Sequence, residues 1–152
     1  IALEAPQSEV SAWDISTDAL RIARGNATSL HAAVDFRQQD ALHAPMEDRE
    51  KWDLIISNPP YVMEKERREM AVNVLRHEPS LALFVPNDDP LRFYRAIARY
   101  GKHALQSGGT LLFEINPLLA EDMVQLLEKE SYQHVQLIAD AFGKSRFTKA
   151  TI

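Results

Sequence analysis

Four consecutive residues, Asn58-Pro59-Pro60-Tyr61, are where this sequence first offers chemistry. Two successive prolines after an apolar run fix the backbone and remove two donors, which leaves a stiff, acceptor-rich turn. The side-chain oxygen of Asn58 and the carbonyl of Pro59 can each accept a hydrogen bond from an NH2 group, while Tyr61 offers a flat ring. That set suits a planar amine or amide. As an isolated tetrapeptide it reads equally well as an ordinary turn opener; its place after an apolar strand favours function. Two acids accompany it. Asp14, at the end of a predicted strand, could accept from a ribose diol, or simply form a turn or cap a helix. Asp40 could accept from an adenine amino group, or be a loop carboxylate.

The elements that must position these residues alternate. Glu9 to Asp14 reads as a short strand, followed by a helix capped by Ser16 or Thr17 with Leu20, Ala23, Ala27 and Leu30 on one apolar stripe. Val34 to Gln38 is a second strand, and Trp52 to Ser57, rich in isoleucine, has the pattern of a strand buried on both faces of a parallel sheet. The charged stretch Glu64 to Glu69 reads as a solvated helix or mobile loop. A helix follows through Leu91, Tyr94, Ile97, Ala98 and Leu105, with Asp89 as cap, Pro90 at its first position and Gly108-Gly109 beyond its end. Thr110 to Ile115 is a further buried strand. Pro117 opens a helix that turns Leu118, Leu119, Met123, Leu126 and Leu127 inward, and Val135 to Ile138 and Phe147 to Ile152 are two last strands. Trp13 and Trp52 are assigned to the core. The pattern predicts an α/β fold with a mainly parallel sheet, spanning residues 1–152 as one unit. In such sheets ligands bind at the carboxyl ends of the strands, which here carry Asp14, Asp40, the Asn58 turn and Glu114.

Composition narrows the classes. The 152 residues are about one domain's worth, and 45% apolar residues can supply a core, which excludes a disordered or fibrous chain. A net charge of −5 gives no positive field to gather phosphate backbones, so it argues against direct nucleic-acid binding. With no cysteine, a disulfide framework, a thiolate metal site and a cysteine nucleophile are all excluded. The five histidines show no metal-ligand spacing, so no metal is expected. No apolar run approaches the roughly 20 residues of a membrane helix and no leader is seen, so a cytoplasmic location is expected.

Asn58-Pro59-Pro60-Tyr61, His77-Glu78-Pro79-Ser80-Leu81-Ala82-Leu83-Phe84, Leu91-Arg92-Phe93-Tyr94 and Gly108-Gly109-Thr110-Leu111-Leu112-Phe113-Glu114-Ile115 together resemble the HemK/PrmC family. Its members are S-adenosylmethionine-dependent methyltransferases that modify a glutamine amide in peptide chain release factors. The likeness covers essentially the whole chain. The Asn-Pro-Pro-Tyr turn alone is shared with DNA and RNA amino-group methyltransferases, and the Glu-Pro-x-Leu-Ala-Leu run points to the glutamine enzymes. The resemblance implies a Rossmann-like class I methyltransferase fold with an antiparallel C-terminal strand. It implies that Asn58, Pro59 and Tyr61 are catalytic, that Pro60 and Glu78 join them in holding the substrate, and that Asp14, Ile15, Asp40, Ala41 and Asn58 hold the cofactor. Glu78 and Glu114 are read as organisers of loops and strand ends rather than as proton acceptors.

Departures from the family pattern carry expectations of their own. Pro86-Asn87-Asp88-Asp89-Pro90 stands where the family has a glycine-rich stretch, and Asn116-Pro117 stands where it has a glycine. None of the five glycines forms a G-x-G arrangement, and the family's first strand, its glycine-rich cofactor loop and its helical substrate-recognition domain are not in this sequence. The chain is therefore expected to be a catalytic domain truncated at its N-terminus, itself inactive and weak in cofactor binding. Without that strand two sheet edges would be unpaired, to be compensated by another chain, through self-association, or by an altered sheet. Two rivals stay open: a nucleic-acid amino methyltransferase, and a piece that folds or pairs without binding cofactor.

Overall fold

The first helix begins where the sequence supplies its cap: the Ser16 side chain accepts a hydrogen bond from Ala19 N, and α1 runs Thr17–Ser29. The computed structural model describes residues 1–70 and 79–152, which divide into two compact units, Ile1–Ala44 and Pro45–Ile152. Glu78 and His77 lie outside the described residues.

In the first unit β1 (Ser11–Asp14) and β2 (Asp35–Gln38) pair in parallel, with Asp14 opposite Gln38. Leu20 anchors α1 in its core at 3% exposed, with Ala23 and Ala27 half-buried. Leu30 departs from the expected stripe. It caps the C-terminus of the helix and is 59% exposed. Trp13 is half-buried.

In the second unit β3 (Trp52–Ser57), β6 (Leu105–Glu114), β8 (Ser145–Thr151) and β7 (Gln133–Ala139) form one sheet in that order, parallel between β3 and β6 and antiparallel across β6, β8 and β7. A short parallel pair, β4 (Val62–Met63) and β5 (Phe84–Val85), lies beyond it, β5 following the single turn α2 (Ser80–Leu83). The expected α/β class and antiparallel last strand are both present. One helix, α3 (Arg92–Ala104), packs on β6, burying Tyr94, Ile97, Ala98 and Ala104. The Tyr94 ring meets Phe113 edge-on at 5.1 Å. Phe113 is fully buried, so its truncation to Ala should cost about 3–5 kcal/mol. The last helix, α4 (Ala120–Lys129), lays Met123, Leu126 and Leu127 against β7 and β8.

Four expectations are corrected here. Leu54 and Ile56 of β3 are 44% and 51% exposed, so the face they share is not buried as expected, and among the described residues β3 is also an edge strand, pairing only with β6. Asp89 does not cap α3. It accepts from Arg95 at 2.9 Å, which holds its carboxyl below the ordinary carboxylate range, and the helix starts after Leu91 with no side-chain cap. Leu105 is not helical but the first residue of β6, and Gly108-Gly109 form an irregularity within that strand rather than a helix stop. Gly108 has φ of +77°, and a Cβ on Gly109 would sit 2.8 Å from the Gln106 carbonyl. Leu118 is 71% exposed, because Pro117–Leu119 is a separate 3-10 turn ahead of α4. Trp52 is half-buried and donates through Nε1 to Tyr100 Oη, which in turn donates to Asp48.

Candidate functional site

The Asn58 turn leaves the carboxyl end of β3. Pro59 is buried, which seats the turn, while Asn58 is exposed. Pro60 and Tyr61 are half-buried. The Tyr61 hydroxyl donates to Glu114 Oε1 at 2.9 Å, and the Tyr94 hydroxyl donates to the Glu114 carbonyl at 3.0 Å. Glu114, the last residue of β6, thus organises the turn from the neighbouring strand end. Burial, then the Glu114 hydrogen bond, raises the Tyr61 ionisation above that of an ordinary phenol, although Arg146 opposes the shift. A phenol held neutral donates to Glu114 and does not act as a base.

Beyond Tyr61 a cleft of about 270 Å³ opens between the turn and the end of β6, and its lining includes Glu66, Met70, Asn116 and Arg146. Arg146 also lies 3.6 Å from Asp140. Residues Glu64–Glu69 form a 3-10 helix, the helical form of the expectation, with Glu64, Lys65 and Arg68 exposed but Glu66 and Arg67 half-buried: Glu66 Oε2 accepts from Met63 N at 2.8 Å, Lys65 N donates to Asn87 Oδ1, and the Arg67 guanidinium stacks on Phe84 at 4.0 Å. Glu66, Asn116 and Arg146 were not singled out for this cleft from sequence. A mixed-sign run carries no hint that one of its carboxylates turns inward.

The remaining predicted residues belong to the first unit. Asp14 is exposed at the end of β1 and accepts from Ser16 N through Oδ1 at 2.7 Å, and the carbonyl of Ile15 accepts from Gln38 Nε2 at 3.1 Å. Asp40 follows β2, caps the 3-10 turn Ala41–His43 by accepting from Leu42 N, and meets His43 Nδ1 at 2.7 Å. Asp14 and Asp40 therefore share the carboxyl edge of a parallel pair, with Gln39 N donating to the Asp14 carbonyl. Each makes the local turn contacts of its plainer reading. The exposed carboxylate of Asp14 and the half-buried one of Asp40 also have the chemistry to accept from the hydroxyl and amino donors of a nucleoside, so these residues fit such a group.

Residues 1–83 match the family model described as the methyltransferase small domain. The chain is 51% identical over 145 residues to a release factor glutamine methyltransferase of Bacteroides thetaiotaomicron, covering 95% of this chain and 52% of that protein. It is 39% identical to a protein of the same name from Flavobacterium psychrophilum, covering 98% and 52%. The chain thus spans about half the length of these curated relatives. A methyltransferase from Pyrococcus furiosus has a similar solved structure, with a TM-score of 0.65 at 17% identity over 99% of this chain and 66% of that one. Another, from Streptococcus mutans in complex with SAH, gives 0.58 at 17% identity over 94% and 75%. The fold is that of class I methyltransferases.

Proposed function

The chain belongs to the methyltransferase small domain family, and from that premise we propose that the protein carrying it methylates the side-chain amide nitrogen of a glutamine in a peptide chain release factor, with S-adenosylmethionine as methyl donor. The carrying observation is the turn itself: Pro59 buried, Tyr61 tied to Glu114, and Asn58 exposed. The names of the relatives support the substrate class. A cytoplasmic location accords with it, and among the described residues no helix is long and apolar enough to cross a membrane.

An amide nitrogen is a weak nucleophile because its lone pair is delocalised into the carbonyl. The Asn58 side-chain oxygen and the Pro59 carbonyl would accept its two hydrogens and so fix the direction of that lone pair. Alignment of this kind can contribute roughly 7 kcal/mol or more to a barrier. The Tyr61 ring would pack beside the amide plane, held there by Glu114. Asp14 and Ile15 would hold the ribose of the cofactor, Asp40 and Ala41 its adenine; when bound, S-adenosylmethionine supplies an electrophilic methyl group. No strong general base is needed, since the nitrogen can lose its proton to water after transfer.

Methyl transfer from labelled S-adenosylmethionine to a release factor, measured beside DNA and RNA, tests the proposal. Methylated glutamine is expected. Methylated adenine with an unmodified glutamine would overturn it in favour of a nucleic-acid enzyme, a reading the net charge of −5 does not favour.

A further inference from the structure

Asn116 is 5% exposed, yet both ends of its carboxamide are occupied. Oδ1 accepts from Leu118 N at 3.0 Å and caps the 3-10 turn that follows; Pro117, lacking an N–H, has nothing to offer it. Nδ2 donates to the Tyr61 carbonyl at 3.3 Å and to the Glu66 carboxylate, at 3.1 Å to Oε2 and 3.3 Å to Oε1. Glu66 Oε2 in turn accepts from Met63 N. The orientation of the amide follows from its neighbours: a flipped group would set NH2 against the Leu118 N–H and oxygen against a carbonyl and a carboxylate. One buried side chain therefore joins three stretches of chain, namely the segment leaving β6, the exit of the Asn58 turn and the 3-10 helix Glu64–Glu69.

The cap alone does not explain this residue. Ser or Asp caps a helical turn about as well as Asn, and neither, as a serine or an ionised aspartate, can donate through an amide. Among the described residues the donors of Asn116 are used on Tyr61 and Glu66, which lie 55 and 50 residues away in sequence. Glu114 holds the side chain of Tyr61 and Asn116 holds its main chain, so the two fix the turn from both sides of the same residue.

We propose that Asn116 is a positioning residue: acting through Glu66 and the Tyr61 carbonyl, it sets the Asn58-Pro59-Pro60-Tyr61 turn in the geometry that transfer requires. The inference rests on the methyl-transfer reading for its catalytic consequence and on geometry alone for the latch. In the intact protein, Asn116→Asp keeps a cap acceptor and, when ionised, has no donor, whereas Asn116→Ser keeps an acceptor but offers only a shorter hydroxyl in place of the amide NH2. Both Asn116 variants are expected to lower kcat about tenfold, as a displaced turn should, with the KM for release factor and the cofactor Kd within about twofold of the parent. They should also speed hydrogen exchange at the Met63 amide. If the aspartate variant fails to fold, the serine variant carries the test. A kcat near that of the parent in Asn116→Ser, or a raised KM with kcat unchanged, would overturn the positioning role. Unchanged Met63 exchange would overturn the latch whatever the activity. A parent protein that leaves the glutamine unmethylated would instead overturn the functional reading, and the exchange contrast would still decide the latch.

Discussion

Tyr61→Phe isolates the hydroxyl that ties the candidate substrate turn to β6. It removes one hydrogen bond to a carboxylate at 2.9 Å and leaves the ring in place. Bonds to charged groups contribute about 1.5–3 kcal/mol, and both partners here are partly open to water, so a loss near the low end, about 1.5 kcal/mol, is expected at neutral pH. The pH dependence gives a sharper test. Burial and Glu114 raise the Tyr61 ionisation in the folded chain, so its stabilising contribution is complete below the unfolded value of about 10 and disappears as pH rises through the folded value. Burial raises Tyr94 and Tyr132 as well, and those groups remain in the variant. Both proteins should therefore weaken in alkali, the parent with one more proton at stake. That proton steepens its slope by up to about 1.4 kcal/mol per pH unit. Urea unfolding from pH 8 to 11 would measure this: the gap between parent and variant should hold steady to about pH 9.5 and then narrow. A gap that stays constant or widens in alkali would refute the assignment of Tyr61 as a neutral donor to Glu114.

Four further outcomes are expected. Thr148 is fully buried, and among the described residues its hydroxyl has no partner, so Thr148→Val should raise the urea midpoint by about 1 kcal/mol equivalent at an unchanged slope; a lower midpoint would contradict this. A Cβ on Gly101 would meet the Tyr132 hydroxyl at 2.5 Å, where that group donates to the Ala98 carbonyl, so Gly101→Ala should cost about 2 kcal/mol. The cost should shrink in a Tyr132→Phe background, and an equal cost there would remove the stated cause. The open side of β3 with Leu54 and Ile56 exposed should make these 152 residues self-associate with rising concentration, and Ile56→Lys should reduce that; sedimentation showing one monomeric species throughout would count against it. With no G-x-G arrangement among the five glycines, the same 152 residues should bind S-adenosylmethionine weakly, and a micromolar Kd by calorimetry would show otherwise.

Local signals were legible in the sequence, whereas pairings over long separations were not. A cap at Ser16 or Thr17, which the structure places at Ser16, and Met123, Leu126 and Leu127 as a buried stripe depend on residues three or four apart. The apolar run of β3 looks like a central strand because composition reports hydrophobicity and not the number of partners a strand finds. Helical spacing led through Leu105 because the chain passes from α3 into β6 without a break, so the glycine pair signalled irregularity inside a strand. At the candidate site the Asn58 to Tyr61 turn could be read as a contiguous unit. Glu66 and Arg146 could not, because one sits in an ordinary charged run and the other on a strand remote in sequence from the turn. Asn116 was visible only as a departure, its bonds being formed 50 and 55 residues away.

The irregularity in β6 also bears on how this domain can be altered. Between Trp52 and Leu54 the chain of β3 advances two residues while its partner advances five, from Leu105 to Thr110, so β6 holds surplus length that the ladder does not use. Gln106, Ser107 and Gly108 in that surplus are exposed. An inserted residue, or a short reporter tag placed there, can be absorbed before the ladder resumes at Thr110, leaving the facing of Phe113 and Glu114 as it was. The surplus insulates the strand end that holds Tyr61 from length changes at the end of α3.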